Sequence, residues 1–392
     1  MQPDLKLVFP FAELGARNQS FRLVVRPDVW GRQLRIRLSN ALGTKPVAFD
    51  DVFVGLQLSG SSVIKGTNVP VTFHGARGLT IAPGADAWSD ATSLSFVPSA
   101  DVAIMAGRKL AVSFHVAGDS GPMTWHAKAL TTSYVTLPGA GSRGGDEQEQ
   151  AFPASTTSWF FLDAIDMQMS SATHTIVAFG DSITDGTAST LNGDDRWPDV
   201  LSRLLHARYG DAVSLVNAGI GGNRVAGPSV YTAQQPFSGG PSAGQRLDRD
   251  VLGLSGVSSV IWLEGINDFG ATVGTSAEAV QQAMRDGVSR LHAKGIRVFG
   301  ATLTSAVGNG SAADSLARDL KRQMLNAFIR TSGVFDGVFD FDRATADSTT
   351  GAMRDAFIPN STDGGPGDHL HPNRQGYAAM AAAIEIEKLV NW

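Results

Sequence analysis

His174-Thr175-Ile176-Val177-Ala178-Phe179 runs directly into Gly180-Asp181-Ser182-Ile183-Thr184-Asp185-Gly186, an apolar, β-branched segment followed by a polar turn with a glycine at each end. The first part has the composition of a strand buried on both faces of a parallel sheet. In open α/β sheets ligands gather at the carboxyl ends of the strands, so Ser182, where such a strand leaves the sheet, is a candidate nucleophile. The competing reading is a serine that caps the next helix. Residues far downstream weigh between the two.

From this stretch onward, strand and helix patterns alternate. A helix is expected over Pro198 to Tyr209, with Val200, Leu201, Leu204 and Leu205 on one side and Gly210 as a stop. A strand at Val213 to Asn217 leads into Ala218-Gly219-Ile220-Gly221-Gly222-Asn223, and one at Ser258 to Glu264 into Gly265-Ile266-Asn267-Asp268. Thr275 and Glu278 read as a capping box for a helix whose Val280, Met284, Val288 and Leu291 share a face. A strand at Ile296 to Gly300, a long helix from Ala312 to Thr331 and a strand at Val338 to Asp342 follow. After Asp368-His369-Leu370-His371-Pro372, Asn373 opens a closing helix with Tyr377, Met380 and Ile384 inward. The pattern predicts an α/β domain with a parallel sheet of about five strands and helices on its faces.

Upstream the pattern is different. From Asn18 to about Met167 short alternating segments such as Phe21 to Val25, Gln33 to Leu38, Val52 to Leu56, Val69 to Phe73, Leu94 to Val97 and Lys109 to Val116 are separated by polar turns. Many short strands without helices point to an all-β sandwich of jelly-roll type. Residues 138–156, rich in Gly, Pro and charge, read as a mobile loop, and Trp159 to Met167 as a last strand. The polar Ser170-Ser171-Ala172-Thr173 reads as a linker, giving two expected domains, 1–169 and 170–392. The length of 392 residues also favours two cores over one.

Composition removes several classes of function. With 37 acidic and 32 basic side chains and a formal net charge of −5, the chain lacks the concentrated basic face of a nucleic-acid binder. No segment approaches the apolar length of a membrane span. The absence of cysteine excludes disulfides, thiol catalysis and thiolate metal sites. Met1-Gln2-Pro3-Asp4-Leu5-Lys6-Leu7-Val8-Phe9-Pro10-Phe11 lacks the parts of a signal peptide, so either the protein is cytoplasmic or a signal is missing from this sequence.

Four segments therefore lie after strands or before the last helix: Gly180-Asp181-Ser182, the glycines at 219–222, Gly265-Ile266-Asn267-Asp268, and Asp368 to His371. A serine hydroxyl becomes a useful nucleophile when a histidine takes its proton and a carboxylate holds that histidine. Asp368 and His371, three positions apart, offer both from one loop. An acyl substrate also needs donors for the oxygen of its tetrahedral intermediate, and the Asn267 amide, the Ser182 N–H and the N–H of Gly219, Gly221 or Gly222 are candidates.

These segments resemble the first, third and fifth sequence blocks of the GDSL, or SGNH, hydrolases, in the same order and at similar spacing. The resemblance covers about residues 174 to 390. It implies a flavodoxin-like three-layer α/β/α fold and ester hydrolysis without metal or cofactor, often of acetyl groups on carbohydrates or acyl groups on lipids. By position it implies Ser182 as nucleophile, Asp368 as orienter, His371 as base, and Ser182, Gly222 and Asn267 as the oxyanion hole. Gly219, Gly221 and Gly222 compete for the oxyanion glycine, and counting from Asn217 favours Gly222. A β domain ahead of the hydrolase is similar to the arrangement of bacterial extracellular members, which favours a secreted or periplasmic location.

The expected activity is a serine esterase acting on short-chain acyl esters, acetyl above all, of a small molecule or polysaccharide. Its rivals are a lipase or thioesterase for longer chains, and a carbohydrate-binding protein with a hydrolase-like scaffold. His369 beside His371 makes an incomplete metal pair. His74, His115, His126, His174, His206 and His292 have no matching acid motif and read as structural. Trp30, Trp88, Trp125 and Trp159 suit either core packing or stacking on sugar rings, with core packing favoured. Arg196 and Trp197 stand open between lining the substrate site and ordinary packing.

Overall fold

The computed structural model describes residues 15–98, 102–232, 235–270 and 273–390; the N-terminal segment considered above for a leader lies outside them. The chain divides into two compact units, one ending at Ala172 and the other beginning at Thr173. Among the described residues no helix is long and apolar enough to cross a membrane.

The first unit is built from antiparallel strands. An eight-stranded sheet is centred on Arg17–Val25, Val47–Ser59 and Leu110–Asp119, and a four-stranded sheet carries Leu162–Met167, Gln33–Ser39 and Asp86–Trp88. Leu34, Ile36 and Leu38 of the smaller sheet share one buried cluster with Phe21, Phe49, Val112 and Phe114 of the larger. Phe21 stacks on Phe114 with ring centres 5.4 Å apart, and Phe49 meets Phe161 edge-on at 5.1 Å. Two sheets closing on one core make this an all-β sandwich.

Three local expectations need correction. The single strand read at Trp159 to Met167 is two: Trp159–Phe160 pairs with Trp125–His126, while Leu162–Met167 pairs with Gln33–Ser39. Phe161 between them has φ +57°, and this bend moves the chain from one sheet to the other. Leu94 to Val97 lies outside the strands, and the short strand there is Thr92–Ser93.

The segment 138–156, expected to be mobile, is tied to the sandwich by Arg22. This fully buried guanidinium donates to Ser113 Oγ at 2.8 Å, Ser61 O at 2.6 Å, Gly144 O at 3.3 Å and Asp146 O. It also lies 4.1 Å over the Phe152 ring. Of the tryptophans, Trp30 is buried, Trp125 stacks on Phe160 at 6.2 Å, and Trp88 lies under the guanidinium groups of Arg35 and Arg37.

The second unit holds a five-stranded parallel sheet with strands β1 (His174–Gly180), β2 (Val213–Gly219), β3 (Val257–Leu263), β4 (Arg297–Ala301) and β5 (Gly337–Phe339). Their spatial order is β2-β1-β3-β4-β5. Helix α1 (Trp197–Tyr209) packs against the closing helix α4 (Arg374–Ala382). The short helix Ala243–Leu247, α2 (Ala277–His292) and α3 (Ala312–Thr331) pack on one another in turn. With right-handed crossovers this strand order puts the two groups on opposite faces, the flavodoxin-like three-layer arrangement. The inner strands β1 and β3, buried over most of their length, carry apolar runs at 176–179 and 260–263 for that reason, whereas the edge strand β2 is only partly buried.

Two boundaries differ from expectation. Ser276, not Thr275, caps α2, its hydroxyl accepting the Ala279 N–H at 3.2 Å. The last strand ends at Phe339 because Asp340 caps the short helix Phe341–Thr345. Trp197 is fully buried against Phe341, so packing is its role.

Register does more for the site than strand order. Gly180 pairs with Gly219 on one side and Leu263 on the other, so three motif-bearing strands end level at one edge of the sheet.

The Arg22 network leads to a stability prediction. Arg22→Met keeps the apolar stem and leaves Ser113 Oγ, Ser61 O and Asp146 O without this donor, Gly144 O keeping that of Asn68 Nδ2 at 3.1 Å, so urea unfolding should show a loss on the order of 3 kcal/mol. Trypsin should then cut after Arg143 in the native protein faster than in wild type.

Candidate active site

The turn after β1 is shaped by contacts that leave no room for other residues. A Cβ at Gly180 would come 2.1 Å from Leu263 O, and one at Gly219 would come 2.2 Å from the Asp185 nitrogen. Ser182–Asp185 forms a single helical turn that closes on Gly186 at φ +98°. Its cap is Asp181, whose Oδ1 accepts the Ile183 N–H at 3.0 Å. Ser182 is thus not the capping residue, and its hydroxyl is available. It lies 2.7 Å from His371 Nε2, across 189 residues of chain.

His371 Nδ1 lies 2.5 Å from Asp368 Oδ2. An ionised carboxylate only accepts, so Nδ1 carries the proton and Nε2 is left to accept from the Ser182 hydroxyl. Asp368 Oδ1 meanwhile accepts the N–H groups of Leu370 at 3.0 Å and His371 at 2.9 Å. Burial pushes the Asp368 carboxyl up, but the hydrogen bond and charge of His371, with these two N–H groups, outweigh it and hold the carboxyl well below its usual range. The arrangement is able to take the serine proton and to stabilise the imidazolium that results.

The two other loops meet beside this turn. Ile220 N–H donates to Gly180 O at 3.0 Å, fastening the loop after β2 to the end of β1. In that loop the Gly219 N–H is already used by Asn217 Oδ1 at 2.9 Å. Gly222 has φ +79°, where a side chain is strained, and among the described residues neither its N–H nor that of Ser182 donates a hydrogen bond. Asn267 sits in a 3-10 turn, Ile266–Phe269, after Gly265 at φ +131°. One of its amide hydrogens goes to Asn223 O at 3.0 Å, and the other remains for a further acceptor. Asp268 is buried and accepts the Val225 and Ala226 N–H groups, both at 2.9 Å, so it secures the neighbouring loop.

Sequence reading missed the residue that joins these pieces. Arg246, wholly buried, donates to Gly180 O and Ala218 O at 2.8 Å, to Asn223 Oδ1 at 2.6 Å and to Asp250 Oδ2 at 3.0 Å. In the sequence it is one charged residue among the several of Gly244 to Asp250, with nothing to mark it as interior. Three of the histidines without a matching acid motif lie beside an acid in the fold: His115 Nδ1 meets Asp50 at 2.6 Å, His292 meets Asp336 at 2.8 Å, and His206 Nδ1 is 3.8 Å from Asp211. His115 Nε2 faces Asn18 Oδ1 rather than a hydroxyl, so it holds two strands together.

Behind the turn lies a set of buried carboxyls, Asp181 and Asp268 from the motif segments and Glu264 from the end of the third strand's run. Burial, with the neighbouring Asp268 and Asp185, pushes Asp181 up to about 7 despite the Ile183 N–H and Arg246. Burial pushes Glu264 up to about 8 and Asp268 up to about 6. Glu264 Oε2 accepts the Trp262 indole N–H at 2.9 Å, whereas its other oxygen is 3.9 Å from Arg246 Nη2, too far to offset desolvation.

A raised folded-state value means that the native protein holds a proton which the unfolded chain has lost. The Glu264 contribution to stability is therefore complete below about pH 4.5 and disappears as pH rises through about 8. Glu264→Gln, which keeps an acceptor for Trp262, should flatten the fall in Tm over that window. Parallel curves for variant and wild type would refute the assignment.

Residues 178–379 match the GDSL-like Lipase/Acylhydrolase family. Solved structures similar to the chain include the native aryl esterase of M. smegmatis, at 16% identity over 55% of this chain and 100% of that one, with a TM-score of 0.42. A carbohydrate acetylesterase family member from Sinorhizobium meliloti aligns at 16% identity over 55% and 96%, with a TM-score of 0.40. A GDSL-like lipase from Bacteroides thetaiotaomicron aligns at 18% identity over 55% and 87%, also at 0.40. No curated protein matches. The family match runs from within β1 into α4 and takes in about half of the chain, so this protein belongs to the GDSL-like lipase/acylhydrolase family and is a carboxylic ester hydrolase.

Proposed function

We propose that the protein hydrolyses short-chain acyl esters, acetyl esters above all, through an acyl-enzyme on Ser182. The observation that carries this reading is the chain of contacts from Ser182 Oγ to His371 at 2.7 Å and from His371 to Asp368 at 2.5 Å. In the proposed reaction His371 takes the Ser182 proton as Oγ attacks the ester carbonyl. The oxyanion accepts from the Ser182 and Gly222 N–H groups and the free amide hydrogen of Asn267. His371 then protonates the departing alcohol. Water, deprotonated by His371, attacks the acyl carbon and frees Ser182.

Preference for a short acyl group is supported by the loops tied to the Ser182 turn. Thr187 N–H donates to Ser182 O at 3.0 Å, and Ala188 O accepts the Ser361 N–H at 3.1 Å. The two loops so joined, 187–195 and 358–368, are rich in Ser, Thr, Asn, Asp and Gly. Leu191 is the single large apolar side chain in them that is exposed, too little surface to bury a long chain. The oxyanion assignment of Gly222 is supported by its unused N–H, since that of Gly219 is already bound.

Ser182→Ala should lower kcat on p-nitrophenyl acetate by about three orders of magnitude or more while leaving Tm unchanged. Asn267→Ala should cost about a hundredfold in kcat with a smaller change in KM. A p-nitrophenyl ester series should peak at acetate or propionate; a peak at octanoate or longer would reject the short-chain reading. Ester hydrolysis by Ser182→Ala at the wild-type rate would reject the mechanism itself.

A further inference from the structure

The acid and the base both come from the loop 358–373, which belongs to no strand, so its position relative to Ser182 has to be fixed from outside. The Asp368 carboxylate is spent on its own loop, on Leu370 and His371. Its main-chain carbonyl is held from elsewhere: it accepts a hydrogen bond from Asn309 Nδ2 at 2.8 Å. Asn309 stands in the loop between β4 and α3, and its Oδ1 accepts from Arg318 Nη1 on α3. The Asn309 N–H donates to Ala306 O at 3.2 Å. Next to it, Gly308 donates to Ser315 Oγ at 2.9 Å, a second attachment to α3. Gly308 has φ +90°, and a side chain there would come 3.2 Å from His369 Nδ1. The β4–α3 loop therefore packs on one residue of the triad loop and hydrogen-bonds the one before it.

The geometry points to Asn309 as a positioning residue for the triad, itself oriented by Arg318. This rests on the assignment of Asp368 and His371 made above. The Asn309 amide touches no reacting atom. It anchors the backbone of Asp368, and through it the contacts from Asp368 to His371 and from His371 to Ser182, 2.5 and 2.7 Å long. Reactivity is steep in such distances, so a small displacement of the loop lowers the rate without altering which groups are present.

Asn309→Asp is the decisive variant, because it keeps the size of the side chain and its acceptor for Arg318 while replacing the donor to Asp368 O by a second acceptor. Its kcat on p-nitrophenyl acetate should fall about tenfold with KM within about twofold of wild type. Labelling of Ser182 by a fluorophosphonate should slow by the same factor yet still reach one label per chain. Asn309→Ala should behave alike, and Arg318→Ala should lie between it and wild type. Wild-type kcat and labelling rate in Asn309→Asp, alongside an inactive Ser182→Ala, would overturn the positioning role alone. Labelling that stops short of one per chain would mean lost folded protein and would also overturn it. An active Ser182→Ala would instead overturn the proposed function.

Discussion

A guanidinium with no exposure to solvent is stable only if its donors find acceptors, and in this protein Arg246 finds them at the ends of two strands and on the loop beyond them. Its Nη2 reaches Gly180 O on β1, its Nη1 Ala218 O on β2, and its Nε the side chain of Asn223, next to Gly222. The face of Phe179 lies 3.9 Å beneath it. Sliding β1 against β2 by one residue would leave a buried cation and several carbonyls unmatched, each costing about 1–3 kcal/mol. The level ending of β1 and β2, on which the Ser182 turn and the Gly222 loop depend, is thus enforced by an interior charge as well as by the sheet ladder.

The same region separates its carboxyls by environment. Asp368 is partly open to water and accepts three hydrogen bonds, so it stays ionised and holds the imidazole. Asp181 and Glu264 each have one buried oxygen without a protein partner, and both are pushed towards the neutral form. Pushing these two carboxyls towards the neutral form lowers the negative charge behind the serine, where it would disfavour the charge of the proposed oxyanion. The balance between burial and hydrogen-bonding or charged partners, not residue type, decides which acid carries charge.

The sheet and the three motif loops were legible in the sequence because parallel strands buried on both faces are written as apolar runs, and the turns after them as glycines with polar neighbours. Gly180, Gly265 and the Asp368–His371 pair are each local in sequence, and it is their common order along the chain, which resembles that of the GDSL hydrolases, that implies their use. Arg22 and Arg246 were not legible. Neither belongs to a motif; three of the four acceptors of Arg22 and two of the four of Arg246 are main-chain carbonyls, and a carbonyl leaves no mark in a sequence. The bend at Phe161 was hidden likewise, since a left-handed phenylalanine reads as one more apolar strand residue. The partners of His115 and His292 lie 65 and 44 residues away, beyond any local motif.

Placing the proposed acid and base three residues apart along the chain reduces the assembly of the proposed triad to one long-range distance. Asp368 and His371 meet wherever their loop folds, and only the gap from His371 to Ser182 depends on the rest of the domain. That gap is closed from the far side of His371. Asn373 caps α4, and Tyr377, buried one turn further on, donates its hydroxyl to Thr187 O at 2.6 Å. Thr187 N–H in turn binds Ser182 O. The helix that follows His371 is therefore fastened to the turn that bears Ser182. Packing of α4 against α1 and the chemistry at the sheet edge then become a single constraint, and a change that loosens the helix acts first on the contact between hydroxyl and imidazole.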